Sequence, residues 1–105
     1  IEDMTLLHVP DNSFHVYQMY TIRVKGGKGQ RDDLMKHLNQ NGIMAKVYFH
    51  PVHLSQFYRE RFGYQGGELH MTEKIAGQVL TLPMYPTLTK EEIDYIADEI
   101  TAFFS

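Results

Sequence analysis

The sequence predicts a small α+β domain, with a short, mainly antiparallel sheet and helices packed on one face of it. Alternating apolar residues predict strands at 15–25 and 43–50, and a capping box predicts a helix that begins near residue 89. Other segments have apolar residues at helical spacing, and the connections between segments are short. Strands and helices are therefore predicted to alternate along the chain and to share one core. The 105 residues, 43% of them hydrophobic and 22% charged, suffice for one core but not for two.

The first predicted strand, at 15–25, ends at a glycine-rich turn. Its alternating apolar residues are Val16, Tyr20, Ile22 and Val24. Gly26–Gly29 then has glycine at three of its four positions, which favours a surface turn. No Ser or Thr follows the lysine of this turn, which argues against a phosphate-binding loop. Arg23 lies opposite the apolar row, where its guanidinium either grips a carboxylate at two points or remains solvated.

The first predicted helix follows this turn. Asp32 and Asp33 are predicted in its first turn, where carboxylates suit the positive end of the helix dipole. Leu34 and Leu38 form its buried side, and Asn41-Gly42 ends it with residues that tolerate a left-handed cap.

Three more helices and an extended segment are predicted in the second half. A short helix covers Leu54 to Phe62, and Thr72 is the predicted N-cap of the next one. Thr81 to Tyr85 is predicted to be a short extended segment. Thr89 to Glu92 then forms the capping box of the last helix, whose apolar stripe runs from Ile93 to Phe104.

The second predicted strand carries the densest group of reactive side chains. Alternation places Lys46, Tyr48 and His50 on one face, and Pro51 turns the chain so that His53 stays nearby. A cation, a phenol and two imidazoles suit an anionic or hydroxyl-rich ligand. Alternatively, this face is the ordinary solvent face of a sheet. Two histidines fall short of the three or four ligands of a zinc site, so no metal is expected.

Composition limits the partners and the compartment. The net charge of −3 comes from 13 acidic and 10 basic residues, and the basic residues are scattered, so no nucleic-acid partner is expected. No apolar run approaches the roughly 20 residues of a membrane helix, and no export signal is present, so no membrane association is expected. The chain has no cysteine, which agrees with a reducing compartment. We therefore expect a cytoplasmic protein.

Five short segments, taken together and in order, resemble a known family. They are HVY at 15–17, GI at 42–43, VYFHPVHL at 47–54, LTLPMYP at 80–86 and LTKEEI at 88–93. This set resembles the C-terminal part of the DegT/StrS-type aminotransferases, closest to perosamine-synthase-like members, over nearly the whole chain. The first residue is Ile1 rather than methionine, so we expect the chain to be an excerpt of a longer protein.

The resemblance implies a fold-type I enzyme that uses pyridoxal phosphate. Such an enzyme moves an amino group from glutamate to a keto group of a nucleotide-linked sugar, in the biosynthesis of surface polysaccharides or amino sugars. In this family the lysine that binds the cofactor belongs to a large domain upstream of everything present here. Residues 1–105 are then the C-terminal small domain, expected to be inactive and to bind no pyridoxal phosphate alone.

The resemblance also implies partners and site residues. The partners are the large domain of the same polypeptide, a second copy in a homodimer, and the nucleotide-sugar substrate. The segment Pro51–His53 corresponds to the rim of the substrate entrance, which makes Lys46, Tyr48, His50 and His53 the candidate substrate-binding residues. Many members have His-Tyr where this chain has Tyr48-Phe49. A phenol at 48 can still donate a hydrogen bond, whereas a phenyl ring at 49 can only pack.

Two other functions remain open at the level of the sequence. The chain is alternatively a stand-alone α+β module that binds a small anion through the Lys46 face and has a regulatory role. It is alternatively a structural dimerisation module that uses the apolar stripe of the last helix. An upstream cofactor lysine distinguishes the enzyme domain from both.

Overall fold

The computed structural model describes all residues, 1–105. It contains three strands and four helices. The strands are β1 (Met4–Leu6), β2 (Tyr20–Val24) and β3 (Val79–Leu82). The helices are α1 (Lys28–Gln40), α2 (Gln56–Phe62), α3 (His70–Ala76) and α4 (Lys90–Phe103), and a 3-10 turn covers Val52–Leu54. None of these helices combines the length and the apolar character that crossing a membrane requires.

The three strands form one antiparallel sheet in the order β1-β2-β3. In the central strand, Ile22 lies between Leu6 of β1 and Leu80 of β3. Ile22, Val24 and Leu80 point to the same face, where they are almost fully buried. The predicted α+β class with a mainly antiparallel sheet is confirmed.

Helices α1 and α4 cover that buried face. Leu34 and Leu38 of α1 and Ile100 of α4 are buried against the sheet residues. Polar contacts also join the two helices: His37 Nε2 lies 3.0 Å from Glu99 Oε2, and the Tyr95 hydroxyl donates to the carbonyl of Asn41 at 2.8 Å. The helices therefore pack on one face, as predicted, and leave the opposite face of the sheet outside the core.

The last helix begins as the sequence predicts. The backbone N–H of Glu92 donates to Thr89 Oγ1 at 3.2 Å, and the backbone N–H of Thr89 donates to Glu92 Oε2 at 3.0 Å. The Tyr85 hydroxyl lies 3.3 Å from the same Glu92 oxygen. Desolvation of the phenol, together with the negative charge of Glu92, raises the pKa of Tyr85.

The first predicted strand is too long. Strand pairing begins only at Tyr20, which lies opposite Leu82, and Val16 is 80% exposed. Residues 15–19 lie before the paired region. Instead, Tyr17 adopts a positive φ of 48° and its backbone N–H donates to the Nδ1 atom of His15. A local turn takes the place of the predicted first half of the strand.

The second predicted strand, at 43–50, is wrong as a continuous element. Only Lys46 pairs with the sheet, through an isolated antiparallel bridge to Thr81. The backbone N–H of Ile43 donates to the carbonyl of Leu38, and that of Ala45 donates to the side chain of Asn39. Two donors of this segment are thus bound to α1 rather than to a neighbouring strand. The predicted alternation survives in part, since Ile43 and Ala45 are buried, but Phe49 is 67% exposed.

Several helix boundaries also differ from the prediction. Helix α1 begins at Lys28, so the predicted turn at Gly26–Gly29 is half helical and Asp32 and Asp33 lie beyond the first helical turn. The end at Asn41-Gly42 is confirmed, with Gly42 at a φ of 78°. Thr72 is not an N-cap, because α3 already starts at His70.

The predicted helix at Leu54–Phe62 divides into the end of the 3-10 turn and α2, which Gly63 closes in the left-handed conformation. The extended segment predicted at Thr81–Tyr85 is strand β3, which begins and ends earlier, at Val79 and Leu82.

A buried arginine joins α1 to the start of β3. Arg31 is 4% exposed, and its Nη1 donates to the carbonyls of Ala76 and Val79, each at 2.9 Å. Its Nε donates to Asp32 Oδ1 at 2.7 Å, which places a carboxylate beside the buried charge. Buried charges persist only when they are paired in this way.

We expect Arg31→Met to lower the free energy of unfolding by about 3 kcal/mol, because it leaves the carbonyls of Ala76 and Val79 without their donor and removes the pairing with Asp32. Urea unfolding followed by circular dichroism measures this loss. Arg61→Met is the matched control, since Arg61 is exposed on α2 and lies only over the ring of Phe62. Equal losses in the two variants would show that the buried contacts of Arg31 do not stabilise the fold.

Candidate functional site

Lys46 projects from the sheet face that lies opposite the core. Its backbone pairs with Thr81 in both directions, at 3.0 and 2.8 Å, so the two side chains share a face. The hydroxyl of Thr81 lies 3.0 Å from that of Thr21 on the neighbouring strand. We call this side the outer face; it carries Thr21, Arg23, Val79, Thr81 and Lys46. Lys46 is exposed, so its ammonium group is open to a ligand.

Tyr48 borders a groove between the outer face and α3. The groove has a volume of about 490 Å³ and is lined by Tyr48, Phe49, Met71, Thr72, Ile75, Ala76 and Val79. We call it the Tyr48 groove. The rings of Tyr48 and Phe49 meet edge to face with centroids 4.9 Å apart. The hydroxyl of Tyr48 makes no hydrogen bond within the chain and is not buried, so a ligand can reach it.

The two histidines of the candidate site lie in different surroundings. His50 is exposed and makes no hydrogen bond or ion pair within the chain. His53, in the 3-10 turn, is only 6% exposed. Its Nε2 lies 3.3 Å from Glu73 Oε2, with an N–H direction too poor for a hydrogen bond, and its ring and that of Tyr64 pack edge to face. His53 therefore faces α3 and the loop before it rather than Lys46.

Two carboxylates that the sequence analysis did not single out bind the loop before α3. Glu73 accepts hydrogen bonds from the backbone N–H of Gly67, 2.9 Å from each oxygen. Glu68 accepts from the N–H groups of Gln65 and Gly66 at 2.8 and 2.7 Å. The available signal was a Gly-Gly pair, Gly66-Gly67, followed by two acidic residues. These backbone donors, with a smaller contribution from His53, hold the pKa of Glu73 below its ordinary value. The pKa of Glu68 is lowered in the same way.

The structure thus places the four predicted site residues in different surroundings. Lys46 and Tyr48 lie along the outer face and its groove, His50 is exposed to solvent, and His53 is buried against Glu73 and Tyr64. An anion or a hydroxyl-rich ligand on the outer face can meet the ammonium group and the phenol. His53 as it stands anchors the segment that carries the other three.

The lysines of the chain do not fit a Schiff-base site for pyridoxal phosphate. All six are exposed: Lys25, Lys28, Lys36, Lys46, Lys74 and Lys90. A cofactor aldehyde needs a lysine in an enclosed, desolvated pocket, where the ammonium group loses its proton more readily. The chain also has no group of three or more side chains that could hold a metal ion. We therefore assign no step of cofactor chemistry to these residues.

The pKa of Glu73 predicts a pH-dependent contribution to stability. Because its folded pKa lies below the ordinary value of 4.5, ionised Glu73 stabilises the fold above that pH. The contribution is lost as the pH falls through the lowered folded pKa. Unfolding in urea from pH 7 to pH 3 should show Glu73→Gln less stable than the wild type at neutral pH, with the difference shrinking in acid.

Glu2→Gln is the control for this pH series, because Glu2 is exposed and makes no hydrogen bond or ion pair. Its stability should follow that of the wild type at every pH. A deficit of Glu73→Gln that stays constant from pH 7 to pH 3 would contradict the role assigned to the Gly67 hydrogen bonds.

Comparison with known proteins identifies the family. The model of the DegT/DnrJ/EryC1/StrS aminotransferase family matches residues 1–101. A pleiotropic regulatory protein of Geobacillus stearothermophilus is 37% identical over 95 residues, which cover 90% of this chain and 24% of that protein. GDP-perosamine synthase of Escherichia coli O157:H7 is 30% identical over 93 residues, which cover 88% of this chain and 24% of that protein.

A solved structure agrees with these relatives. DesV of S. venezuelae, in complex with a ketimine intermediate, matches with a TM-score of 0.85 and 28% identity, over 96% of this chain and 26% of that one. The chain therefore spans about a quarter of the length of the proteins it matches. Since the family match covers all but the last four residues, the chain belongs to the DegT/DnrJ/EryC1/StrS aminotransferase family.

Proposed function

We propose that residues 1–105 are the C-terminal small domain of a pyridoxal-phosphate-dependent sugar aminotransferase. In this proposal the whole enzyme transfers an amino group from glutamate to a nucleotide-linked keto sugar, in surface-polysaccharide or amino-sugar biosynthesis. The observation that carries the proposal is a family match over residues 1–101, in a chain that spans only 24% of a GDP-perosamine synthase.

The cofactor is assigned to a larger domain of the same polypeptide. Exposure of all six lysines supports this assignment, because none of them offers a desolvated amine. The ketimine in the DesV structure supports the reaction type, since a ketimine joins a nitrogen to a ketone carbon. Pyridoxal phosphate supplies the electron sink for amino transfer when it is bound. The small domain alone is then inactive, and its contribution is to bind and orient the substrate.

Lys46, Tyr48, His50 and His53 are the proposed substrate-binding group. The exposed ammonium of Lys46 and the open hydroxyl of Tyr48 suit the phosphates and sugar hydroxyls of a sugar nucleotide. His50 follows two residues later and is accessible. His53 contributes by position: its burial against Glu73 and Tyr64 holds the turn that follows His50.

In the whole enzyme, exposed apolar side chains of this domain would contact other parts of the protein. Phe57 and Phe62 of α2 are 66% and 62% exposed, and both rings pack on that of Tyr58, so the three form a contiguous exposed aromatic patch. We assign such surface to the large domain or to the second copy of a homodimer. The enzyme is proposed to work in the cytoplasm, as the absence of cysteine suggests.

A regulatory module is the second candidate function. The relative from Geobacillus stearothermophilus is named a pleiotropic regulatory protein and is 37% identical to this chain. In that case the Lys46 side would bind a small anionic effector without any amino transfer. A full-length protein that binds sugar nucleotide but transfers no amino group from glutamate would favour this candidate.

For the enzyme, we expect Lys46→Met in the full-length protein to raise the KM for the sugar nucleotide about tenfold, as loss of one charge-assisted hydrogen bond predicts. The turnover number should change little, because the chemistry takes place on the large domain. Steady-state kinetics with glutamate and nucleotide-linked keto sugars, with chromatographic detection of the amino sugar, measures both constants.

Lys90→Met is the matched control, since Lys90 is an exposed lysine that pairs only with Asp94 on α4. Its KM should equal that of the wild type. If both substitutions leave KM unchanged, Lys46 does not bind the substrate. If the unmodified protein transfers no amino group, the enzymatic function itself is wrong.

We also expect the 105-residue chain to form no stoichiometric complex with pyridoxal phosphate. Exposed lysines give only slow, unsaturable imine formation. Absorbance titration of the chain with the cofactor tests this expectation, and free lysine at the same amine concentration is the reference. A saturable band at one equivalent per chain would place a cofactor site within these residues.

A further inference from the structure

Arg23 is a half-buried arginine without an acidic partner. The other arginines differ from it: Arg31 pairs with Asp32, whereas Arg59 and Arg61 are exposed on α2. No carboxylate lies within 4.0 Å of the Arg23 guanidinium, since none of the ion pairs in the chain includes it. A guanidinium that is partly removed from water favours an oxyanion as its partner.

The orientation of Arg23 is fixed by a buried glutamine. Arg23 Nε donates to Gln78 Oε1, and Gln78 is only 7% exposed. Gln78 is held in turn, because its Nε2 donates to the carbonyl of Lys25 at 3.3 Å. The two terminal nitrogens of Arg23 make no hydrogen bond within the chain and are not buried. They form a positioned, accessible pair of donors.

The surroundings of Arg23 suit a small organic molecule with an apolar hydrocarbon portion. On β3 its direct neighbour is Val79, which forms one wall of the Tyr48 groove. Directly opposed residues of an antiparallel pair have Cβ atoms about 5 Å apart, so the stem of Arg23 lies beside the groove. The groove is mainly apolar and carries the hydroxyls of Tyr48 and Thr72. Ligand sites commonly combine such an apolar lining with a few polar groups.

We propose that Arg23 and the adjoining Tyr48 groove bind a small organic carboxylate. The terminal nitrogens of Arg23 take the two carboxylate oxygens, and the groove takes the carbon chain. A guanidinium pairs at two points with carboxylates and phosphates alike. The adjoining groove favours the carboxylate, because its mainly apolar lining can take a carbon chain but offers few donors to the further oxygens of a phosphate. Identifying the carboxylate as that of the amino donor glutamate rests on the proposed function, but the site itself does not.

The probe for this site is glutarate, a dicarboxylate that has neither an amino nor a keto group and so cannot enter amino transfer. Calorimetric titration of the full-length protein should show saturable binding of glutarate. Arg23→Gln and Arg23→Lys should each weaken that binding at least about tenfold, because a lysine keeps the charge but loses the two-point geometry. Thermal melting verifies that both variants fold.

Two further variants sharpen the test. Arg61→Gln removes the same charge from an exposed arginine of α2 and should leave glutarate binding unchanged. Gln78→Glu has nearly the size of the original residue and gives Arg23 an internal carboxylate. It should weaken glutarate binding although Arg23 is intact. Binding in Gln78→Glu as tight as in the wild type would contradict the proposed use of the guanidinium.

Inorganic phosphate distinguishes the class of oxyanion. We expect phosphate to compete with glutarate weakly or not at all. Equal or tighter binding of phosphate, lost in Arg23→Gln, would overturn the carboxylate assignment, and absence of glutarate binding would overturn the site. Amino transfer with the wild-type KM for glutamate in Arg23→Gln would overturn the identification of the bound carboxylate as the amino donor and would leave the proposed function standing. Glutarate binding at Arg23 in a protein that transfers no amino group would refute only the proposed function.

Discussion

The guanidinium of Arg31 is the contact on which the arrangement of this small chain depends. From α1 it reaches the carbonyls that flank the junction of α3 and β3, which are otherwise far away in sequence. The junction sets where β3 begins, and β3 lies between the central strand β2 and the bridging residue Lys46. Its Leu80 enters the core, whereas Val79 and Thr81 face outward to the groove and to Lys46. One buried charge therefore positions core and candidate site together.

The outer face depends on the core because successive side chains of β3 point to opposite faces of the sheet. The register that buries one set of side chains therefore also fixes which residues lie on the outer face. A shift of one residue would exchange Leu80 with Thr81 and would bury a hydroxyl where the core needs a methyl-rich side chain. The same shift would remove the bridge that holds Lys46. Burial of Ile22, Val24 and Leu80 fixes the register of the strands. The positions of the residues on the outer face follow from that register without any further cost in stability.

What could be predicted from the sequence was local. The capping box was correct because all its atoms lie between Thr89 and Glu92, and the alternation of Ile43 and Ala45 correctly indicated burial. The continuous strand at 43–50 failed although the competing partners are close in sequence. Two of its backbone donors bind Leu38 and Asn39 of α1, and apolar alternation does not record where backbone donors bind. The burial of His53 was missed for a different reason: its ion-pair partner, Glu73, lies 20 residues further along the chain.

The segment that carries Tyr48 and His50 is fastened at both ends but not between them. At one end the bridge of Lys46 to Thr81 ties it to the sheet, and at the other end buried His53 packs against Tyr64 and Glu73. Glu73 also binds the N–H of Gly67, so the second anchor is linked to a loop whose glycines adopt positive φ. The bridge to the sheet and the buried contacts of His53 therefore fix the two ends of the segment. The phenol of Tyr48 and the imidazole of His50, which bind nothing within the chain, lie between these two anchors.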